Sequence, residues 1–144
     1  MTEIVVVCNL VLAFLLGGLI GWFREKEGRA AGMRTHILVS LGSALFMTSS
    51  IQMMQHYPGA DPARLAAGVV TGIGFIGAGC ILQTGSGIMG ITTAASIFIT
   101  SAIGIASGAG FYVGAVTTSF LTVIALQVIR EVEIHIIKTK SREK

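Results

Sequence analysis

No charged residue occurs between Arg64 and Arg130, and glycine recurs throughout the apolar sequence that joins them. A folded domain in water carries roughly 25% charged residues, whereas this chain has 12% against 53% hydrophobic residues, with a mean hydropathy of +0.81. It cannot cover a water-facing surface, so its solvent is a lipid bilayer. In water each glycine would weaken a helix by about 1 kcal/mol relative to alanine. Between membrane helices it instead lets two backbones approach closely. Gly68, Gly72, Gly74, Gly77 and Gly79 therefore predict a contact face, and replacing Gly72 or Gly77 with leucine is expected to destabilise the fold by overpacking. The spacing Gly72-x-Gly74-x-x-Gly77 copies a dinucleotide-binding fingerprint, but that motif needs a preceding strand and an acid about 20 residues on, and neither is present.

The chain divides into five apolar runs, each about as long as a helix needs to cross the hydrocarbon core. They are 4–23, 35–54, 63–83, 90–107 and 111–129. The fold class expected is an all-α integral membrane protein of about five transmembrane helices with glycine-rich packing faces. A transmembrane domain is assigned to 1–130 and a basic cytoplasmic tail to 131–144. The first run has no basic leader and is followed, not preceded, by cations, so it reads as a span rather than a signal peptide. Small-xxx-small pairs at Gly17 and Gly21 and at Gly104 and Gly108 mark further packing positions. The second run places Ser40, Ser43, Met47 and Ser50 at near-helical spacing, a helix-contact stripe or a wet surface. Asp61 precedes Pro62 and the third run, as an N-cap with proline at the first helical position would. Thr84-Gly85-Ser86-Gly87 reads as a tight polar connection. In the fourth run Thr92, Ser96 and Thr100 fall at i, i+4 and i+8 and share one side of a helix, where packing between helices is weighed against a solvated path. Cys8 and Cys80 have no metal-ligand partners at useful spacing and read as packing residues.

With five spans the ends lie on opposite sides. One side would carry nine of the ten Lys and Arg, leaving only Arg64 opposite, so the positive-inside rule places the N-terminus outside and the C-terminus in the cytoplasm. The tail alternates charge with Val132, Ile134, Ile136 and Ile137, and its cations suit anionic headgroups. The net charge of +3 comes without the base-reading chemistry of a nucleic-acid protein, and no nucleic-acid partner is expected. An intramembrane enzyme would need a nucleophile and a base. His36 and His56 are read at membrane edges and His135 in the tail, with no acid spaced to orient any of them, so no enzymatic activity and no cofactor are expected.

Gly18-x-Ile20-Gly21 followed by Arg24, Ala31-Gly32-Met33-Arg34-Thr35-His36, Asp61-Pro62-x-Arg64, the run Val70 to Gly79, and Gly90-Ile91-Thr92-Thr93-Ala94-Ala95 together resemble the membrane domain of the MgtC/SapB family over most of residues 17–114. The resemblance implies a bacterial inner-membrane protein linked to growth in low magnesium and, in pathogens, to virulence through survival inside macrophages. The family carries a magnesium-transporter name, while some members are described as acting on other membrane proteins, including ATP synthase and phosphate uptake. Many members continue into a cytoplasmic regulatory domain, and this chain stops about where that domain would begin. Three positions depart from the pattern: Phe23 where the family usually has Glu, Gly68 where a glutamine is common, and Met89 where an arginine is common.

These readings single out Arg34, Thr35, Asp61, Arg64, Thr92 and Thr93 as functional candidates. For Arg64 a snorkelling anchor competes with function, for Arg34 a topology signal does, and for Thr92 and Thr93 packing does. The partners expected are the lipid bilayer, further copies of the chain, and other membrane proteins such as ATP synthase or transporters. A non-catalytic modulator is the first reading. A magnesium transporter or channel formed by a homo-oligomer is the alternative, disfavoured because Mg²⁺ seeks carboxylate oxygens and the spans from Leu65 to Ile129 hold none.

Overall fold

A computed structural model describes residues 1–57, 59–84 and 87–129. Pro58, Gly85, Ser86, Arg130 and the tail 131–144 lie outside the described residues, and so does the expectation of a headgroup-bound tail. Helix α1 is Glu3–Lys26, α2 Met33–His56, α3 Pro62–Gly79, α4 Ile91–Gly108 and α5 Tyr112–Ile124, the last running into a π-helical turn at Ala125–Ile129. At 1.5 Å per residue the 24-residue α1 and α2 extend ~36 Å and the 18-residue α3 and α4 ~27 Å, all enough to cross a bilayer. The expectation of five spanning helices is met by length and composition.

The sequence reading carried the third run to Gln83, but α3 ends at Gly79. Gly77 and Gly79 weaken its last turn, and the chain then extends into a two-stranded antiparallel hairpin, β1 (Leu82–Thr84) and β2 (Gly87–Met89), with Leu82 opposite Met89 and Gln83 opposite Ile88. Gly90 follows at φ +90°. Only glycine suits that geometry here, because a Cβ would also run into the Cys80 carbonyl.

Helix α2 lies along both α1 and α4, and α4, the most buried span, packs against each of the other four helices. Glycine makes these approaches possible. A Cβ on Gly17 would lie 2.7 Å from the His36 carbonyl oxygen and one on Gly21 2.5 Å from Met33 Cα. On α4, a Cβ at Gly104 would strike the Ser40 carbonyl and one at Gly108 the Ala44 carbonyl. Gly77 makes an ordinary contact with Ala94 at 3.6 Å. Among the described residues a Cβ on Gly68, Gly72, Gly74 or Gly79 would meet nothing within 4 Å, so the contact face predicted on α3 has no partner there. A side chain at Gly72 would therefore find no neighbour to overpack among the described residues of the same copy. Gly68 and Gly72 instead face, across from Gly42, an apolar groove of about 540 Å³ between α3 and α2.

Two small apolar clusters complete the interior: Ile20, Ile103 and Ala115 between α1, α4 and α5, and Ala31, Ile73 and Ile97 with Cys80 packed against them. Cys8 is not a packing residue. The buried stripe of α1 runs through Asn9, Ala13, Gly17, Ile20, Gly21 and Arg24, and Cys8 falls one position off it, exposed.

Asp61 caps α3 as the sequence indicated, its carboxylate accepting from the Ala63 N–H at 2.9 Å with Pro62 beginning the helix. Asp61→Ala should lower stability by about 1 kcal/mol, while Asp61→Asn should cost little. Thermal unfolding in detergent distinguishes the two, and equal losses would contradict a capping role.

Candidate functional site

Helix α1 ends by turning a guanidinium inward. Arg24 lies on the same stripe as Ile20 and Gly21, and because Gly21 brings Met33 close, the arginine is enclosed to 2% exposure. Its Nη2 donates to Thr93 Oγ1 at 2.7 Å. Next to it, the Glu25 carboxylate accepts from the Met33 N–H at 2.8 Å. It thus caps α2, whose own N-cap position is Gly32 and offers no side chain.

His36, one turn into α2, is fully buried. Its Nδ1 lies 2.8 Å from the Gly32 carbonyl oxygen, which can only accept, so Nδ1 carries a proton. Nε2 lies 3.1 Å from Ser96 Oγ, which in turn donates to the Thr93 carbonyl at 2.8 Å. Arg24, Thr93, Ser96 and His36 therefore form one buried polar cluster that ties α1, α4 and α2 together at a single end of the bundle. Beside it is a recess of about 250 Å³ lined by Arg24, Glu27, Arg29 and Thr92 together with Ala125, Leu126 and Ile129. Glu27 is held there by Arg29 Nε at 3.1 Å and Gln127 Nε2 at 2.6 Å, which brings the end of the fifth span to the α1–α2 connection.

A second polar group closes the other end. Asn9 donates from Nδ2 to the Gly108 carbonyl at 3.2 Å, Thr48 donates to the same carbonyl at 3.3 Å, and the Tyr112 hydroxyl donates to Asn9 Oδ1 at 2.8 Å. The last carbonyl of α4 is thereby satisfied from α1 and α2, and α5 is fastened to α1.

Between the two groups the hydroxyls of α4 mostly close on their own helix. Thr100 donates to the Ser96 carbonyl at 2.7 Å and Ser107 to that of Ile103 at 2.8 Å. The expected side was Thr92, Ser96 and Thr100, but Thr92 is exposed and the buried line runs through Thr93, Ser96, Thr100 and Ser107. Bonding back to the preceding turn satisfies a hydroxyl where a glycine-lined contact leaves room for no neighbouring acceptor.

The structure unites only some of the candidates. Thr92 and Thr93 stand at the Arg24 end, Thr92 in the recess and Thr93 bonded to the guanidinium. Asp61 and the exposed Arg64 share a recess of about 280 Å³ with Ser50 and Met53 at the opposite end. Arg34 is exposed on the first turn of α2 and Thr35 is half-buried beside it. Among the described residues no three His, Cys, Asp or Glu side chains gather as a metal site.

Sequence reasoning passed over Arg24, His36 and Asn9 as interior residues. The signals were present. Asn9 is a carboxamide inside an otherwise apolar span, which ordinarily faces another helix. The serine stripe of α2, followed back one turn from Ser40, arrives at His36.

Comparison with known proteins adds a family. A family model described as the MgtC family matches residues 10–135. The "Putative magnesium transporter YhiD" of Escherichia coli K12 is 44% identical, over 87% of this chain and 60% of YhiD. "Protein MgtC" of Salmonella typhimurium is 39% identical, over 87% of this chain and 52% of its own length. A Haemophilus influenzae protein is 36% identical, over 87% and 56%. The chain thus spans between about half and three fifths of the length of the curated relatives it matches. No solved structure matches.

Proposed function

This chain belongs to the MgtC family, and from that premise we propose that it is a non-catalytic modulator of other membrane proteins in bacterial magnesium homeostasis. It works from the inner membrane, with its N-terminus outside, its C-terminus in the cytoplasm, and ATP synthase or transporters among the partners in view. The observation that carries this reading is the close packing of α1 and α4 on α2 at Gly17, Gly104 and Gly108. Backbone rests on backbone through the middle of the bundle, and one copy leaves no width there for Mg²⁺, which sheds water reluctantly. Copies associate along α3, where Gly68 and Gly72 are open.

The name carried by YhiD supports a second reading, magnesium passage through a homo-oligomer. The route would then run between copies. Cells stripped of other magnesium uptake distinguish the readings: the modulator leaves uptake unchanged when expressed, and protein-dependent uptake would overturn it. The orientation is tested by a C-terminal alkaline phosphatase fusion, which should be inactive; an active fusion would reverse the topology.

A further inference from the structure

The geometry points to the β1–β2 hairpin as a lipid-embedded element, inserted into the headgroup layer at the Arg24 end of the bundle. The hairpin emerges beyond the level at which Arg24 meets Thr93, in the layer that also holds the α1–α2 connection. The two connections on this end differ sharply in chemistry. The first is dense in charge, from Arg24 to Arg34, whereas the second contains no charged residue. Leu82, Ile88 and Met89 are nevertheless 63%, 62% and 62% exposed. In water three such side chains on a short ribbon would be an unprotected apolar patch.

Lipid suits this element better than a protein surface because its apolar residues point both ways. Leu82 and Met89 are paired and share one face, while Ile88, opposite Gln83, occupies the other. A docked protein would cover one face and leave the other in water, whereas lipid surrounds both. The dimensions also agree. Three-residue strands reach ~10 Å, enough to span the roughly 5–8 Å that the headgroups add on each side of the hydrocarbon core. Deeper insertion is excluded, since the open strand edges need water for their N–H and C=O groups. The ribbon therefore stands with Leu82 and Met89 at the acyl boundary and Thr84 toward water.

The test uses the full chain carrying Cys8→Ser and Cys80→Ala, with single cysteines introduced as Leu82→Cys, Ile88→Cys or Met89→Cys and labelled with a nitroxide. The protein is reconstituted in phosphatidylethanolamine–phosphatidylglycerol liposomes, with Ala30→Cys in the charged connection as the reference. Collision with oxygen, relative to a water-soluble nickel chelate, should be several-fold higher at all three hairpin positions than at Ala30. All three are exposed, so the labels should leave the thermal transition of the cysteine-free parent unchanged, and only variants that keep it are compared. Nickel access equal to that at Ala30 would place the hairpin in water and overturn the proposal. Exclusion of both reagents would overturn it equally, by showing a protein, such as a second copy, over the ribbon.

Discussion

Gly104→Leu should prevent the bundle from forming. The glycine faces the Ser40 carbonyl so closely that even a Cβ has no space, and the atom in its way belongs to backbone that cannot rotate aside. Overpacking in a tight core costs about 1–3 kcal/mol where neighbours can adjust. Here α2 and α4 would have to separate, which also strains the His36–Ser96 bond and those from Asn9 and Thr48 to Gly108. A loss of at least about 3 kcal/mol is therefore expected, seen as failure to recover monodisperse protein in detergent or as a collapse of the thermal midpoint. Gly72→Leu is the contrasting case. Its side chain enters the open groove beside Gly68, so the fold should persist while self-association changes. A stable Gly104→Leu protein, or an unfolded Gly72→Leu protein, would contradict the assignment of α4 to internal packing and α3 to the exterior.

The second large effect is at Arg24. Arg24→Ala removes a long, enclosed side chain together with its bond to Thr93, and a hydrogen bond to a charged group contributes about 1.5–3 kcal/mol. With the lost packing, the total should reach about 3 kcal/mol or more. The cycle with Thr93→Val separates the parts. Once Arg24 is gone, Thr93→Val should cost little, giving a coupling of about 1.5 kcal/mol or more between the two positions. Independent, additive losses would show that the 2.7 Å contact contributes nothing and that Arg24 acts elsewhere.

How much of this was legible in the sequence depended on whether the signal was local. Spans announce themselves by length and by lack of charge, and the Asp61–Pro62 cap by two adjacent residues. The inward face of each helix was harder, because the α3 glycines and the α4 glycines look alike in sequence. Gly72 and Gly104 differ in what lies opposite, no described atom within 4 Å in one case and the Ser40 carbonyl in the other. The choice depends on which helices become neighbours, which no single span encodes. Arg24 and His36 were misread for a related reason. Both fall near the ends of helices, where charge normally marks topology, and the close approaches at Gly17 and Gly21 draw this end of the bundle inward. Thr92 and Thr93, adjacent in sequence, separate because one turn of α4 presents the first to the recess and the second to the guanidinium.

The proposal of a modulator that does not itself conduct is tested most directly by magnesium entry into liposomes containing the purified, correctly inserted chain. The bundle's backbone-on-backbone packing predicts entry no faster than into protein-free liposomes of the same composition. Saturable entry that scales with the amount of protein would contradict it and give this chain a transport route of its own.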